Sequence, residues 1–429
     1  MQITRVVIIL IVLPLFTLVI LKFGAKKIDE SHFLPSSTSE MYKSPTGSTQ
    51  NNSSQSISVG PTSNIPLKLP TGFTIHVFAS NLGTPRDLQF SPGGTLLVSN
   101  PSGNQVIAMP DTNHDGVADS NKVVISNGTH IHGLAFYGGK LYVADVNKVV
   151  KYSWDEKNLQ AIFDKQLFSL PENSDHNNRT IIFDKSGIMY VSVGSTCNVC
   201  IESSPLSATI IVSDADGNNP HVFAKGLRNA PFMTFKPTTN DLWVTEMGRD
   251  NLGDNTPPDE INIPKENPST SHSTLRDEPL GSGSRSSGPR DYGWPYCYGN
   301  KNHDDNFDPS KSHTCDLTEP PVYEIPAHSA PLGLTFINSS QFPSYWQNDL
   351  LVSYHGSWNR SVATGFKVVH MKVTGNTITS AEDFLTGFLQ GTSNSSAKGR
   401  PVDLTFDSLG NLYISDDRAG NVYIVQKTK

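Results

Sequence analysis

The 429-residue chain lacks several features that mark common classes of protein. It has no basic excess, because 33 Lys and Arg face 40 Asp and Glu, and this excludes a protein built mainly to coat nucleic acid. Its globular part has no stretch with a 3.6-residue hydrophobic period, which argues against a helical architecture. No G-x-G-x-x-G follows a strand and precedes a helix, which argues against NAD as a cofactor.

Cysteine is also scarce, with four residues that fall into two local pairs. A C-x₂-C pair such as Cys197 and Cys200 can bind metal, act in redox chemistry or close a small disulfide loop. Zinc would need two more soft ligands, and the spacing of Cys297 and Cys315 does not fit a zinc ribbon. We favour two structural disulfides, which require an oxidising compartment.

Long hydrophobic runs are absent except at the N-terminus, where residues 6–22 form a largely apolar run that ends at Lys22. This run is near the lower limit of a membrane span, at ~17 residues, and no A-x-A cleavage site follows it. It predicts a signal-anchor segment over residues 1–27 that places the protein at the membrane, on its extracytoplasmic side. The lysines after the run oppose this orientation by the positive-inside rule, whereas the cysteines favour it.

Residues 28–65 are rich in Ser, Thr, Asn and Pro and predict a disordered stalk. Residues 66–429 contain short alternating runs of Val, Ile, Tyr and Phe, which predict an all-β domain. One hairpin pattern recurs in it: a polar turn, a strand close to x-L-x-F, a second turn and a strand such as LYVAD. The aligned phenylalanines are Phe90, Phe136, Phe183, Phe235, Phe336 and Phe406.

Six copies of one hairpin predict a six-bladed β-propeller, with a β-sandwich or two small barrels as the alternatives. The strand over residues 73–79 is expected to pair with the C-terminal NVYIVQK, which closes the ring and covers its free edge. The long segment 248–330 is predicted to be an insertion on one face of the propeller.

Because the repeat aligns the blades, it also aligns the loops that carry cationic side chains. These residues are Arg86, His132, His176, Arg179, Arg228 and Arg400. Such a ring around an axial pocket suits an anionic or strongly polar ligand, although each residue could instead pair with a nearby Asp or carbonyl. His176 is the best candidate general base, because imidazole titrates near neutral pH, and Arg228 could polarise a developing oxyanion.

Two acidic loops have the oxygen-rich composition that Ca²⁺ prefers. Residues 245–262 contain five carboxylates, with Gly248 in a predicted turn. Residues 111–119 match the first half of an EF-hand loop, but the Glu of its twelfth position is replaced by Lys122. A solvated acidic loop is the alternative in both cases.

In combination, these motifs resemble the glucose/sorbosone dehydrogenase family, whose members are six-bladed propellers that use pyrroloquinoline quinone (PQQ) and calcium. The resemblance covers roughly residues 70–427. It is carried by SDHNNRTIIFDKSGIMYVSVGS, GLRNAPFMTFKPTTNDLWVTEMGRD, PPDEIN, YGWP and GRPVDLTF.

The resemblance implies a role for each matching residue. His176 corresponds to the catalytic base, Arg228 and Asn229 to the pair at the cofactor, and Arg400 to a final cofactor-contacting residue. The loop SYHGSWNR offers His355 or Arg360 where glucose-oxidising members have Lys, which is closer to the sorbosone-like branch. The metal-binding residues implied are the backbone carbonyls of Gly248 and Arg249 for the cofactor's calcium, and Asp259, Glu260 and Tyr292 for a second calcium region.

The implied activity is the oxidation of an aldose or sugar aldehyde by hydride transfer to PQQ. His176 takes the hydroxyl proton, while calcium and Arg228 polarise the quinone. The reduced cofactor then passes its electrons to a membrane quinone or a cytochrome. Two alternatives are a lactonase-type propeller with a central calcium and a non-catalytic, calcium-stabilised propeller that binds a ligand or partner at the cell surface.

Overall fold

A computed structural model describes residues 63–172, 175–267 and 288–428 of the chain. The predicted anchor over residues 1–27 and the predicted stalk as far as residue 62 lie outside these ranges. Within them, no helix combines the length and the apolar character needed to cross a bilayer. The helices of the described part are short 3₁₀ turns at Pro101–Gly103, Ser344–Trp346 and Asn394–Ser396.

The strands of the described residues form blades of antiparallel sheet, and β1 (Phe73–Ala79) precedes the first of them. Blade 1 contains β2 (Leu88–Phe90), β3 (Leu96–Asn100), β4 (Gln105–Met109) and β5 (Lys122–Ile125). Blade 2 contains β6 (Gly133–Tyr137), β7 (Lys140–Asp145), β8 (Lys148–Asp155) and β9 (Gln160–Ser169). Blade 3 contains β10 (Ile181–Phe183), β11 (Met189–Val193), β12 (Thr209–Ser213) and β13 (His221–Lys225).

The second half of the propeller carries the insertion. Blade 4 begins with β14 (Met233–Phe235), β15 (Leu242–Glu246) and β16 (Asp259–Asn262). The insertion adds β17 (Arg290–Asp291), which extends blade 3, and the hairpin of β18 (Cys297–Tyr298) and β19 (Asn302–His303). Blade 4 then ends with β20 (Tyr323–Ile325), and blade 5 contains β21 (Pro331–Phe336), β22 (Leu350–Tyr354), β23 (Lys367–Thr374) and β24 (Thr377–Leu385).

Blade 6 joins the two ends of the domain. It contains β25 (Pro401–Phe406), β26 (Leu412–Asp416) and β27 (Asn421–Lys427), and β1 is its outermost strand. β1 and β27 are antiparallel, with Phe73 opposite Lys427, which confirms the predicted closure. Each repeat phenylalanine lies in the innermost strand of its blade, so the prediction of a six-bladed propeller is also confirmed.

The hydrophobic core consists of clusters packed between neighbouring blades. Leu351 and Val368 of blade 5, for example, pack against Leu404 and Tyr423 of blade 6. All four are at most 4% exposed, and burial of such a side chain stabilises the fold by about 1.5–3 kcal/mol. Equivalent clusters join the other neighbouring blades, so the stack closes on itself without an uncovered blade face.

Hydrogen bonds that involve residues in or next to the innermost strands tie adjacent blades together. Asp403 of blade 6 accepts from the backbone N–H of Leu88 (2.8 Å), and Asp87 of blade 1 accepts from that of Leu134 (3.0 Å). The Thr245 hydroxyl of blade 4 donates to the Leu332 carbonyl of blade 5 (2.8 Å). Burial raises the pKa of both Asp87 and Asp403, and the proximity of Asp403 raises that of Asp87 further.

The Asp87–Asp403 pair makes stability depend on pH. A carboxyl whose pKa is raised in the folded state stabilises the fold below its unfolded pKa and loses that contribution as pH rises through the folded value. For Asp403 this window runs from 3.8 to about 7. We therefore expect thermal scans of Asp403→Asn to show a weaker fall in Tm across this window than wild type. The exposed Asp164→Asn is the control, and a wild-type slope in Asp403→Asn would contradict the argument.

Candidate active site

Loops from blades 3 to 6 enclose a cavity of about 270 Å³ at one end of the propeller axis. Several of its residues directly precede the innermost strands of these blades. Because those strands share one direction along the axis, the residues before them meet at the same end. The sequence-predicted residues that line the cavity are His176, Arg228, Gly248, Asp259, His355 and Arg400.

His176 is held by Ser195 of the loop that follows β11. Its Nδ1 lies 3.1 Å from the Ser195 carbonyl oxygen and 2.9 Å from the Ser195 hydroxyl, which itself donates to the Cys197 carbonyl (2.7 Å). Because a carbonyl only accepts, the ring proton is on Nδ1 and the lone pair is on Nε2. Burial, with Arg228 nearby, lowers the pKa of His176 to about 3, so the ring is neutral at physiological pH.

A glycine makes this position of His176 possible. A Cβ added at Gly194 would lie only 2.5 Å from the Cβ of His176. Any side chain at Gly194 would therefore push the histidine loop away from β11. The motif VSVGS after the third repeat phenylalanine thus has glycine at its fourth position because the candidate base packs directly against the backbone there.

Arg228 is 4% exposed and its donors are directed at the loop that follows β15. Its Nη1 donates to the carbonyls of Met247 (3.3 Å) and Gly248 (3.0 Å), and its Nη2 donates to Asp250 (3.1 Å). The guanidinium is therefore fixed beside the Gly248 carbonyl, one of the two carbonyls that the resemblance assigned to the cofactor's calcium. Its charge is partly balanced by Asp250, which is 20% exposed.

Asp259 determines the shape of the same loop. Its carboxylate accepts from the backbone N–H of Gly248 (3.0 Å) and from that of Ala330 (2.9 Å), which joins blades 4 and 5. Burial raises the pKa of Asp259 to about 7. A Cβ added at Gly248 would lie 2.7 Å from the Pro258 carbonyl, so the loop is closely packed on that side as well.

A second cationic group lies across the cavity. The Arg400 guanidinium donates to the backbone carbonyls of His355 (3.2 Å) and Gly356, and it lies 5.3 Å from the Phe366 ring centre. His355 Nε2 lies 2.9 Å from Asp417, which also pairs with Arg86 (2.6 Å). Burial lowers the pKa of His355 to about 4, against the opposing effect of Asp417.

Of the residues predicted for a second calcium region, Glu260 and Tyr292 line a separate small cavity, whereas Asp259 lies in the wall of the axial cavity. Glu246 and Glu260 are opposite each other on β15 and β16, and both are buried. Burial raises the pKa of both, that of Glu260 to about 7. Arg249 pairs with Asp304 (2.7 Å), and the Tyr292 hydroxyl donates to the Ile263 carbonyl (3.2 Å). The walls of this cavity include Glu246, Gly248, Arg249, Glu260 and Tyr292.

Other sequence-predicted residues lie outside the walls of the axial cavity. Arg360 donates to the carbonyls of Asp254 and Ala327, and Asn229 is buried with its amide on the Met247 sulfur (3.4 Å). His132 and Arg179 are fully buried behind the cavity and bond to backbone carbonyls, as the alternative interpretation of the cationic set expected.

The loop of residues 111–119 is far along the chain from these groups. The Asp111 carboxylate accepts from the backbone N–H groups of Asp115 (3.2 Å) and Gly116 (3.1 Å), and that of Asp119 accepts from Thr112 (2.9 Å). A calcium ion in this loop stays a prediction.

Both predicted disulfides are confirmed. Cys197 is bonded to Cys200, and Cys297 is bonded to Cys315. No free cysteine occurs among the residues with described positions. The first disulfide closes a four-residue loop immediately beside His176 and Arg228, and the second closes the hairpin of β18 and β19 with its following loop.

Sequence reasoning did not assign several residues of the cavity. Asp250, His328, Trp358 and Asn359 line it, and Asp417 supports His355 from behind. Asp250 was noted only as one of five loop carboxylates. His328 and Asn359 had no detectable signal, because they lie between repeats and meet Asp250 only through the fold, with Asn359 donating to Asp250 (2.7 Å).

The fold and the site together define a closed six-bladed propeller with a cationic axial cavity and a neutral, half-buried histidine. Residues 67–428 match the TrAA12-like family, and the chain belongs to this family. A protein of Borreliella burgdorferi described as uncharacterized is 30% identical over 85% of this chain and 91% of its own length. A pyrroloquinoline quinone-dependent sugar dehydrogenase of Hypocrea jecorina is 25% identical over 86% of this chain and 92% of its own length.

The fold is also shown by a solved structure. The match to the calcium structure of the Trichoderma reesei family AA12 enzyme includes 85% of this chain and 98% of the chain of that structure. Its TM-score is 0.71, and the two sequences are 21% identical. The resemblance inferred from the motifs is thus confirmed at the level of the family.

Proposed function

We propose that this protein is a quinoprotein dehydrogenase that oxidises an aldose or sugar aldehyde, with PQQ and Ca²⁺ held in the axial cavity. The observation that carries the proposal is that His176, Arg228 and Arg400 line one cavity, with the histidine neutral and both guanidinium groups fixed. The names of two relatives support it, because one is a PQQ-dependent sugar dehydrogenase and the other was described as a calcium structure.

The groups in the cavity fit PQQ by their chemistry. PQQ is a flat ortho-quinone with three carboxylates, so it needs cationic donors rather than a phosphate-binding loop. Arg228 and Arg400 supply these donors, and His355 lies between Arg400 and Asp417. The Gly248 carbonyl is an oxygen ligand of the kind that Ca²⁺ takes, and it lies in the same cavity wall. When bound, PQQ supplies the acceptor for the two electrons of the sugar C–H bond.

Three side chains that line the cavity have separate roles in the proposed reaction. His176 accepts the proton of the sugar hydroxyl at Nε2, because its Nδ1 already donates to Ser195. Arg228 stabilises negative charge that develops on oxygen, since its position is fixed before the reaction. Trp358 lines the cavity with 64% of its surface exposed, and its ring offers an apolar face against which a sugar ring can pack.

We also propose a second calcium ion between Glu246 and Glu260, an electron acceptor that is a membrane quinone or a cytochrome, and a membrane-anchored, extracytoplasmic location. The two disulfides support a location on the oxidising side of a membrane. The buried, facing carboxyls support the second ion, because a divalent cation would balance their charge.

The proposed function is tested by reconstitution of the full chain. We expect reduction of an artificial redox dye with aldoses only when PQQ and Ca²⁺ are both added, and loss of activity when EDTA removes the calcium. Mg²⁺ in place of Ca²⁺ is the matched control, since its smaller octahedral shell suits a carbonyl-lined loop poorly. If PQQ neither changes the thermal stability nor supports turnover, the dehydrogenase proposal fails and a binding propeller becomes the better description.

A further inference from the structure

The disulfide Cys197–Cys200 encloses only two residues, and the first of them is Asn198. Its side-chain oxygen accepts from Arg228 Nη2 (2.9 Å) and from the backbone N–H of Asp250 (2.7 Å). Its side-chain nitrogen donates to the Asp250 carbonyl (3.1 Å), and its own carbonyl accepts from Arg228 Nε (2.9 Å). Asn198 therefore makes two hydrogen bonds to the arginine and two to the residue that pairs with it.

These contacts need the chemistry of an amide. The oxygen accepts from two N–H groups while the nitrogen donates to a carbonyl, and only Asn or Gln carries a carbonyl oxygen and an NH₂ group in one side chain. The three side-chain contacts also fix which end of the amide is oxygen. With alanine at position 198, Arg228 would keep Asp250, the Met247 and Gly248 carbonyls and the backbone carbonyl of residue 198, but Nη2 would lose the amide oxygen.

The same short loop also reaches His176. The Ser195 hydroxyl, which contacts His176 Nδ1, donates to the Cys197 carbonyl (2.7 Å). The backbone N–H of Ser195 donates to the Arg228 carbonyl (2.7 Å). The loop closed by the Cys197–Cys200 disulfide thus contacts Ser195, which holds the candidate base His176, and it also contacts Arg228.

We propose that Asn198 is a positioning residue for Arg228 and Asp250, and that the Cys197–Cys200 disulfide holds Asn198 in place for this role. This inference rests on the proposed function of the cavity. A loop of this length without regular structure loses entropy when it is fixed, and the disulfide removes much of that entropy beforehand. This role requires no contact between the sugar or the cofactor and either Asn198 or the disulfide.

The test is a titration of PQQ, with Ca²⁺ present, into the full-length protein while tryptophan fluorescence is recorded. We expect Asn198→Ala to raise the Kd for PQQ by about 10- to 100-fold, as the loss of a group that orients a ligand does at metal sites. Cys197→Ser/Cys200→Ser should raise the Kd in the same direction. The variant that combines all three substitutions should have a Kd for PQQ no higher than the higher of the two Kd values measured for Asn198→Ala and for Cys197→Ser/Cys200→Ser. Both changes act through the same contact, so their effects should not add.

The control is Cys297→Ser/Cys315→Ser, which also removes one disulfide but lies outside the contacts of Arg228 and His176. Its Kd for PQQ should stay close to that of wild type even if its Tm falls. Wild-type Kd in Asn198→Ala would overturn the role of Asn198, and effects that multiply in the triple variant would overturn the role of the disulfide. If wild type itself does not bind PQQ, the proposed function fails and the positioning role fails with it.

Discussion

His176→Ala is expected to lower kcat with aldoses by about 10²–10⁴-fold, the usual contribution of a general base. The structure gives the reason, because Nδ1 is committed to Ser195 and the buried ring stays neutral, with a lone pair on Nε2. Affinity for PQQ should change far less, since the cationic donors of Arg228 and Arg400 remain. The measurement is steady-state turnover of the PQQ-loaded protein beside a PQQ titration.

Two further variants make this result specific. His176→Gln retains a polar group but has no ring nitrogen that can accept a proton, so it should be as impaired as His176→Ala. His221→Ala is the matched control, because His221 is exposed at the start of β13 in the same blade. If His176→Ala retained kcat within about threefold of wild type, another group would have to take the proton.

Arg179→Met is expected to destabilise the fold by about 3–5 kcal/mol. Arg179 is fully buried, and its guanidinium donates to the carbonyls of Pro171 (3.0 Å), His176 (2.6 Å) and Asn178 (3.1 Å). Methionine fills similar space but leaves three buried carbonyls without their donor, at about 1–3 kcal/mol each, partly offset by removal of a buried charge. A shift of the urea midpoint measures the effect.

The controls for Arg179 separate charge from geometry. Arg179→Lys keeps a positive charge but not the planar fork, so it should recover only part of the stability. Arg418→Met removes an exposed arginine and should leave the urea midpoint unchanged. An Arg179→Met protein as stable as wild type would show that solvent or neighbouring donors satisfy the carbonyls. Because Arg179 holds the His176 carbonyl, kcat should fall together with stability.

The architecture was predictable because every blade of the propeller contains a copy of the same hairpin pattern, which can be recognised in the local sequence. Each hairpin places one phenylalanine in an innermost strand, so six copies indicated six blades and brought the loops before Phe183, Phe235 and Phe406 to one end. His176, Arg228 and Arg400 follow from that alignment, and all three line the cavity. Closure by β1 followed from the need to cover an open sheet edge.

The rest of the site depends on contacts between residues far apart in the chain, which no local pattern contains. Asp417 supports His355 from 62 residues further along the chain, and Asn359 meets Asp250 across 109 residues. The choice between His355 and Arg360 was open in the sequence. The geometry favours His355, because the Arg360 guanidinium is occupied by the Asp254 and Ala327 carbonyls outside the cavity. The role of Asn198 could not be predicted from the sequence, because a single Asn between two cysteines forms no recognisable motif.

The pairing of β1 with β27 has a consequence for how the chain is made. β1 is synthesised long before its hydrogen-bonding partner β27, since 352 residues separate Thr74 from Gln426, so β1 stays without this partner until β27 has been made. In the folded domain the Phe73 side chain of β1 lies against the rings of Phe342, Trp346 and Phe384 in blade 5. A chain truncated before β27 leaves β1 without its partner strand and blade 6 with an open edge at β26. The closing strand pair therefore forms only after all six blades have been synthesised.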